Sequence, residues 1–523
     1  MRFLAGLAAL LLSVAPVAAQ TAPPSVLRYA PTGDLRVLDP IWTSAAITLT
    51  HAQLVYDVLV TTDANLKPQL QMAEKAERSA DGMSWIFTLR EGLAFHDGSP
   101  VTAEDVALSI TRWAKRVTAG QAMLARSSGI TALDARRVQI SFNRPFGPVL
   151  ESLSSPVLAP FIMRAAEARV DAFEQVKTVI GSGPYSFVAD EFRPGNKSIY
   201  RRNAAYKPRS EKSDGYAGAK IVHFDRVEWV YLPDQSTSVQ ALLKGEIDFL
   251  DSVQADLVPL LKRDKNITLQ VLNTTGAIGT VRPNTLVPPF NDPRARQALL
   301  LLMDQEAVAT TVAVGPELAR ECYALFVCGT PYETQAGLAD WKSPNLARAK
   351  QLLADSGYKG ERIVLLDPAD QPDIHSLALL TADSLRRIGA NVDVQTMDWS
   401  TKITRRNTRE SPATNPNGWN LAFTFWGGFS LASPVTNAPL VSSCDGKNLY
   451  GWPCDEELEK LRSSFLDATD DAGRKSITEA LQLRFLQTVP YIPTGIIQRP
   501  VAHRADLKDV PKTLYPTFWS IRR

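Results

Sequence analysis

Apolar residues recur along most of this chain at spacings that switch between two periods, and the switching predicts strand alternating with helix. Trp85-Ile86-Phe87-Thr88-Leu89-Arg90 alternates with period two, as a half-buried strand does, and His96-Asp97-Gly98 follows as a turn. Thr102-Ala103-Glu104-Asp105 forms a capping box that opens a helix running past Trp113. Val239 to Lys244 reads as a short helix stopped by Gly245, with Glu246 to Leu250 as the strand behind it. Pro293 starts a helix whose apolar face, Ala298, Leu299, Leu302 and Met303, carries it to Ala309. In the second half, Leu346 to Leu353 and Leu377 to Ile388 are helices ended by Gly357 and Gly389. Each is followed by a strand, Arg362 to Leu366 and Val392 to Thr396. This order is that of α/β domains, with a mostly parallel sheet expected in the C-terminal half. Glu410 to Gly418 is polar and rich in Pro and Asn, hence an exposed loop.

The first residues follow a different pattern. Arg2 precedes an apolar run from Phe3 to Val14, then small residues ending Val17-Ala18-Ala19, the layout of a cleaved secretory signal over residues 1–19. A dozen apolar residues fall short of the roughly 20 needed to span a bilayer. No cysteine stands near the cut to take a lipid, so the expectation is an exported, unanchored, periplasmic product.

Length and charge narrow the partners. At 523 residues, two to four domains are expected. The 57 basic and 55 acidic side chains nearly cancel, so no bulk field recruits nucleic acid or an anionic membrane. Of four cysteines, Cys322 lies near Cys328 and Cys444 near Cys454, which in an oxidising compartment predicts two small disulfide loops. Neither gap suits a zinc knuckle and no histidine flanks them, so no metal and no cofactor are expected. His51, His96, His223, His375 and His503 are scattered, and neither His-Glu-x-x-His nor Gly-x-Ser-x-Gly occurs. A secreted hydrolase on an α/β scaffold therefore rests on export and fold class alone. Gly181-Ser182-Gly183-Pro184 lacks the Gly-Lys-Ser/Thr of a phosphate loop and reads as the tight entry to a Tyr185-Ser186-Phe187 strand.

Several segments together carry a resemblance. They are Tyr56-Asp57-Val58-Leu59-Val60, Leu66-Lys67-Pro68, Ser84 to Gly92, and Phe95-His96-Asp97-Gly98-Ser99-Pro100-Val101-Thr102-Ala103-Glu104-Asp105-Val106. Gly181 to Tyr185 with Arg202-Asn203, Leu243 to Asp248, and Pro288 to Leu299 follow in order. Over essentially the whole mature chain this resembles the family 5 solute-binding proteins, the extracytoplasmic dipeptide- and oligopeptide-binding components of ABC importers. The resemblance implies a two-lobed α/β periplasmic binding protein fold (type II, peptide-binding cluster) with an inserted α/β subdomain and a ligand cleft between the lobes. By analogy, residues 20–60, 181–272 and 490–523 make lobe I, 61–180 the insert and 273–489 lobe II, with the hinge near Leu272 and Val489. It further implies a monomer that captures a peptide or peptide-like solute and hands it to permease subunits in the inner membrane, without catalysis. A non-peptide solute (an opine, a sugar, a metal complex or an aromatic compound) is the alternative within the class.

The resemblance also nominates site residues. Ser44, Ala45 and Ala46, following Leu38-Asp39-Pro40, match one backbone edge that pairs with an extended peptide, and Phe425-Trp426-Gly427-Gly428 leads to the other. Trp399 matches a pocket wall. Peptide-binding relatives carry an Asp for the peptide ammonium three residues after the match to Trp426, whereas this chain has Phe429. A buried ammonium without a counter-charge costs several kcal/mol. The solute is therefore expected to lack a free amino terminus at that place, or to be more apolar or aromatic. Arg405 and Arg406 either hold a carboxylate or form an exposed basic pair on a loop.

Overall fold

A computed structural model describes residues 25–313 and 316–523; the signal segment expected over 1–19 lies outside the described residues. Two large sheets dominate. The first has seven strands in the order Ile267–Gln270, Val501–Arg504, Phe249–Leu250, Val26–Ala30, Arg226–Val230, Lys197–Arg202 and Tyr185–Phe187. The second has six, in the order Ala319–Arg320, Ile492–Ile497, Ala277–Pro283, Leu421–Gly427, Ile363–Pro368 and Val392–Met397. Between them the chain passes only twice, outward through 271–276 and back through 498–500. The outward crossing begins just after Gln270, at Val271 and Leu272. The return comes after Ile492–Ile497, which pairs with Ala277–Pro283 and with Ala319–Arg320 and so belongs to the second sheet.

The second sheet is mixed rather than mostly parallel. Only Ile363–Pro368 with Val392–Met397 and with Leu421–Gly427 run parallel, the former joined by the crossover helix Pro372–Arg387. The other neighbours come from distant segments and pair antiparallel. The helix expected from Pro293 to Ala309 is two, Pro293–Leu302 and Gln305–Val312. Asp304 breaks it by accepting the Ala307 amide at 2.9 Å as an N-cap.

Residues 61–180 supply a four-stranded antiparallel sheet, Ala73–Arg78, Ser84–Leu89, Arg137–Phe142 and Ser127–Ala132 in that spatial order, packed on the helix Ala103–Arg116. The capping box at Thr102 and Asp105 is formed from both sides. This unit is bound to the first sheet by a buried ion pair: Arg112 donates to the two Asp39 carboxylate oxygens at 3.2 and 2.8 Å. On its far side it touches the helices Glu456–Asp467 and Asp471–Thr488, where the Gly147 amide donates to Leu466 at 2.8 Å. A Cβ on Gly147 would sit 1.7 Å from the Ala468 carbonyl oxygen, so only glycine permits that approach.

Cys322 bonds to Cys328 and Cys444 to Cys454, as the spacing predicts. Both loops stand on the second sheet's body. The latter carries Tyr450 and Trp452, which pack with Val364, Leu366 and Trp419 on its outer face.

Candidate functional site

Between the two sheets lies a cavity of about 700 Å³. Its floor is made by the crossing segments themselves: Leu272, Asn273 and Gly276 on the way out, Ile497, Arg499 and Val501 on the way back. The outward crossing is held as a turn by Asn273, whose side-chain oxygen accepts from the Thr275 and Gly276 amides, both at 3.0 Å, and from the Thr275 hydroxyl at 2.8 Å.

One wall is polar. Thr32 and Asp251 follow the carboxyl ends of the neighbouring parallel strands Val26–Ala30 and Phe249–Leu250, the place where open α/β sheets present ligand sites. Ser44 and Ala46 stand beside them at the start of the helix Ala46–Val55. Asp39 fixes the loop ahead of that helix: besides Arg112 it accepts from the Ile41 amide at 3.2 Å and the Val176 amide at 2.9 Å. Residues 61–180 close the same side. Trp113 Nε1 donates to the Leu158 carbonyl at 2.6 Å, which seats Val157 and Leu158 in the wall, and Arg116 emerges one turn later against the rings of Trp42 and Phe173.

The opposite wall is aromatic. Strand Leu421–Gly427 pairs along Ala277–Pro283 and leaves the sheet with Phe425, Trp426 and Gly427 on the cavity, followed by Phe429. Gly428 makes the exit possible, since its amide donates to Gly276 at 2.8 Å and a Cβ there would lie 2.1 Å from the Thr275 oxygen. Phe429, Val435 and Thr436 also border a side chamber of about 420 Å³ that runs toward Tyr332 and Glu151.

Comparison with known proteins fits this geometry. Residues 67–448 match the family described as bacterial extracellular solute-binding proteins, family 5 Middle. The chain belongs to that family. A probable peptide ABC transporter periplasmic-binding protein of Sinorhizobium fredii is 38% identical over 494 residues, 94% of this chain and 92% of that one. A probable deoxycholate-binding periplasmic protein of Escherichia coli is 25% identical, covering 90% and 88% of the two chains. The crystal structure of the ABC transporter substrate-binding protein CtaP from Listeria monocytogenes shares the fold, with TM-score 0.79 at 21% identity over 94% of this chain and 98% of that one. The architecture is thus the type II periplasmic binding protein fold of the peptide-binding cluster, and the family's members bind solutes for ABC transporters.

The structure of this family 5 protein gathers Ser44, Ala46, Phe425, Trp426, Gly427 and Phe429 around one cavity. Ala45 and Gly428 serve those neighbours through the backbone: the Ala45 carbonyl accepts the first amides of its helix. Three nominated residues lie elsewhere. Arg405 donates to the carbonyls of Asn417, Pro416 and Gly418 at 3.0 to 3.1 Å and holds the loop after its helix. Arg406 stacks on Tyr450 at 4.2 Å. Trp399 packs over the Lys402 ammonium at 4.4 Å, and none of the three lines the cavity. His96 is likewise structural: Nδ1 accepts the Gly181 amide at 3.3 Å and Nε2 faces the Gly183 carbonyl at 3.0 Å, which fixes the Nε2-protonated tautomer. Burial keeps its pKa below the ordinary histidine value.

Sequence reasoning missed Thr32, Asp251, Arg116 and the Val157–Leu158 turn, all on the polar wall. The available signal was weak. Thr32 and Asp251 each follow a strand end, but the two meet only through pairing across more than two hundred positions.

Proposed function

We propose that the protein is an exported, periplasmic solute-binding component of an ABC importer, which captures a peptide or peptide-like solute in the cavity and presents the closed form to its inner-membrane permease. Residues 20–60, 181–272 and the C-terminal segment act as one lobe carrying the insert 61–180, and the body of the second sheet acts as the other. The observation that carries this reading is the cavity of about 700 Å³ whose two walls come from different sheets and whose floor is the two crossings. A solute touching both walls gains contacts that neither offers alone, and that difference drives closure. Rotation about a few connecting residues is an established mode for periplasmic binding proteins. No catalysis is required of the chain.

The relative from Sinorhizobium fredii, named for peptide transport, supports the peptide class. Phe429 favours a solute without an ammonium against the aromatic wall. A second reading, an apolar non-peptide solute, draws on Phe425, Trp426 and Phe429 together and on the relative named for deoxycholate. Native mass spectrometry of protein purified from its own periplasm decides between them. A co-purified species of peptide mass is expected, a bile-acid-like species supports the second reading, and catalytic turnover of a small molecule with nothing retained overturns both.

A further inference from the structure

The cleft contains a carboxylate that no basic side chain neutralises among the described residues. Asp251 lines the cavity as a partly exposed residue at the end of Phe249–Leu250. One oxygen, Oδ2, accepts from the Thr32 hydroxyl at 2.8 Å and the Thr32 amide at 3.4 Å. These two short contacts orient the group without supplying a charge. Tyr29, fully buried behind it, directs its neutral hydroxyl toward the same carboxylate and likewise brings no charge. The two other charged residues lining the cavity are both cationic, and each is engaged elsewhere. Arg499 pairs with Asp373, and Arg116 stacks on Trp42 and Phe173 while donating to the Trp42 carbonyl at 3.2 Å. Burial raises the Asp251 pKa above the ordinary carboxylate value, against the Thr32 bonds, as for an anion awaiting a partner.

We infer that Asp251 is the anchor for a cationic group of the solute, an ammonium in the peptide-like class, held on the polar wall rather than beside Phe429. Thr32 aims the carboxylate, whose remaining acceptor capacity serves the ligand's N–H groups; a charge-assisted bond in a site closed from water is worth far more than the same bond in solution. The aromatic wall then receives the apolar side chains. Recognition of the ammonium thus belongs to the first lobe, before closure, and the rings of the second complete the enclosure. This inference rests on the proposed peptide-binding role.

The test uses the full mature chain and two probes, a pancreatic digest of casein and the same digest N-acetylated, with retained peptides counted by native mass spectrometry. The wild type is expected to retain free-amine peptides about tenfold or more over acetylated ones. Asp251→Asn, which keeps the Thr32 bonds, is expected to remove that preference, and Asp251→Glu to keep part of it. Thermal melts of the two variants confirm that both fold, and the charge-retaining variant separates loss of the anion from loss of structure. A preference unchanged in Asp251→Asn, or equal retention of both digests by the wild type, overturns the inference while leaving the peptide reading intact. Retention of neither digest overturns the peptide reading, and the inference with it.

Discussion

The two walls of the cavity are built on opposite principles. The first, from the seven-stranded sheet and residues 61–180, presents a threonine, a serine, a carboxylate and a guanidinium, with Thr32 orienting Asp251 and the rings of Trp42 and Phe173 holding Arg116. The second presents Phe425, Trp426 and Phe429, oriented by strand pairing and by the Gly428 exit. Polar groups discriminate by direction, whereas rings contribute affinity through area removed from water, with little regard to what covers them. A cleft with one wall of each kind reads one side of its solute and tolerates variety on the other. Since only two crossings join the walls, a change in either one is felt through closure as well as through direct contact.

The sharpest way to break this pairing is to fill the aromatic side. A Cβ on Gly427 meets nothing within 4 Å, and its backbone, at φ −59°, suits any residue. Gly427→Trp is therefore expected to reduce solute retention by about a hundredfold or more while shifting the melting temperature little, read by calorimetry beside a thermal melt. Normal affinity in this variant would place the solute outside the cavity. Trp426→Ala removes a ring without filling space. Removing an aromatic ring that a bound solute covers costs about 2–3 kcal/mol, so the expected loss is about thirtyfold to 150-fold across all solutes alike. An effect confined to one solute would turn the second wall from a permissive surface into a selective one.

A milder change acts where residues 61–180 meet the helices Glu456–Asp467 and Asp471–Thr488. Arg126 is nearly buried and donates to Asp467 at 3.0 Å, and Arg78 donates to the Thr469 carbonyl at 2.7 Å. Asp467 is half exposed, so its pair is worth about 0.5–1 kcal/mol. Asp467→Ala is expected to weaken retention about twofold to fivefold and to raise the dissociation rate measured by stopped-flow Trp fluorescence, leaving solute preference unchanged. A changed preference would mean that this contact reaches the solute.

The same contrast explains what could be read from the sequence. The stretch Phe425 to Phe429 was nominated through the family resemblance, and because it is contiguous its register follows from one strand. The polar wall was anticipated only at Ser44 and Ala46. Thr32 and Asp251 are 219 positions apart, and although Glu246 to Leu250 reads as a strand, nothing local tells that its end, Phe249–Leu250, lies beside Tyr29–Ala30 and Val501–Arg504. Local chemistry read well wherever it was sufficient, as at the Thr102 capping box and both disulfide loops. It misread Pro293 to Ala309, where apolar periodicity outweighed the capping signal of Asp304. Arg405 and Arg406 were near the right strand in sequence, but their helix turns them toward the 416–418 loop and Tyr450.

The smallest effect on binding, and a test of which wall is the rigid one, concerns Lys402. It is fully buried behind the aromatic wall, with Nζ donating to Phe423 at 2.7 Å and with the Trp399 and Tyr450 rings 4.4 and 5.8 Å away. Burial, and then the nearby Arg406, lowers its pKa from 10.5 to about 7. Between those values the unfolded chain binds a proton that the folded chain does not, so folding stability rises with pH across that window, by at most about 1.4 kcal/mol per pH unit, and the gain is lost as pH falls toward 7. Lys402→Met removes the buried charge and keeps the stem, so it is expected to raise the melting temperature near pH 7 and to flatten its pH dependence. Solute affinity should change less than about twofold, because Phe423 lies two residues back along the strand from Phe425 and does not line the cavity. A larger loss of affinity would mean that the ammonium under Trp399 tunes the position of the rings, and the aromatic wall would then be as finely oriented as the polar one.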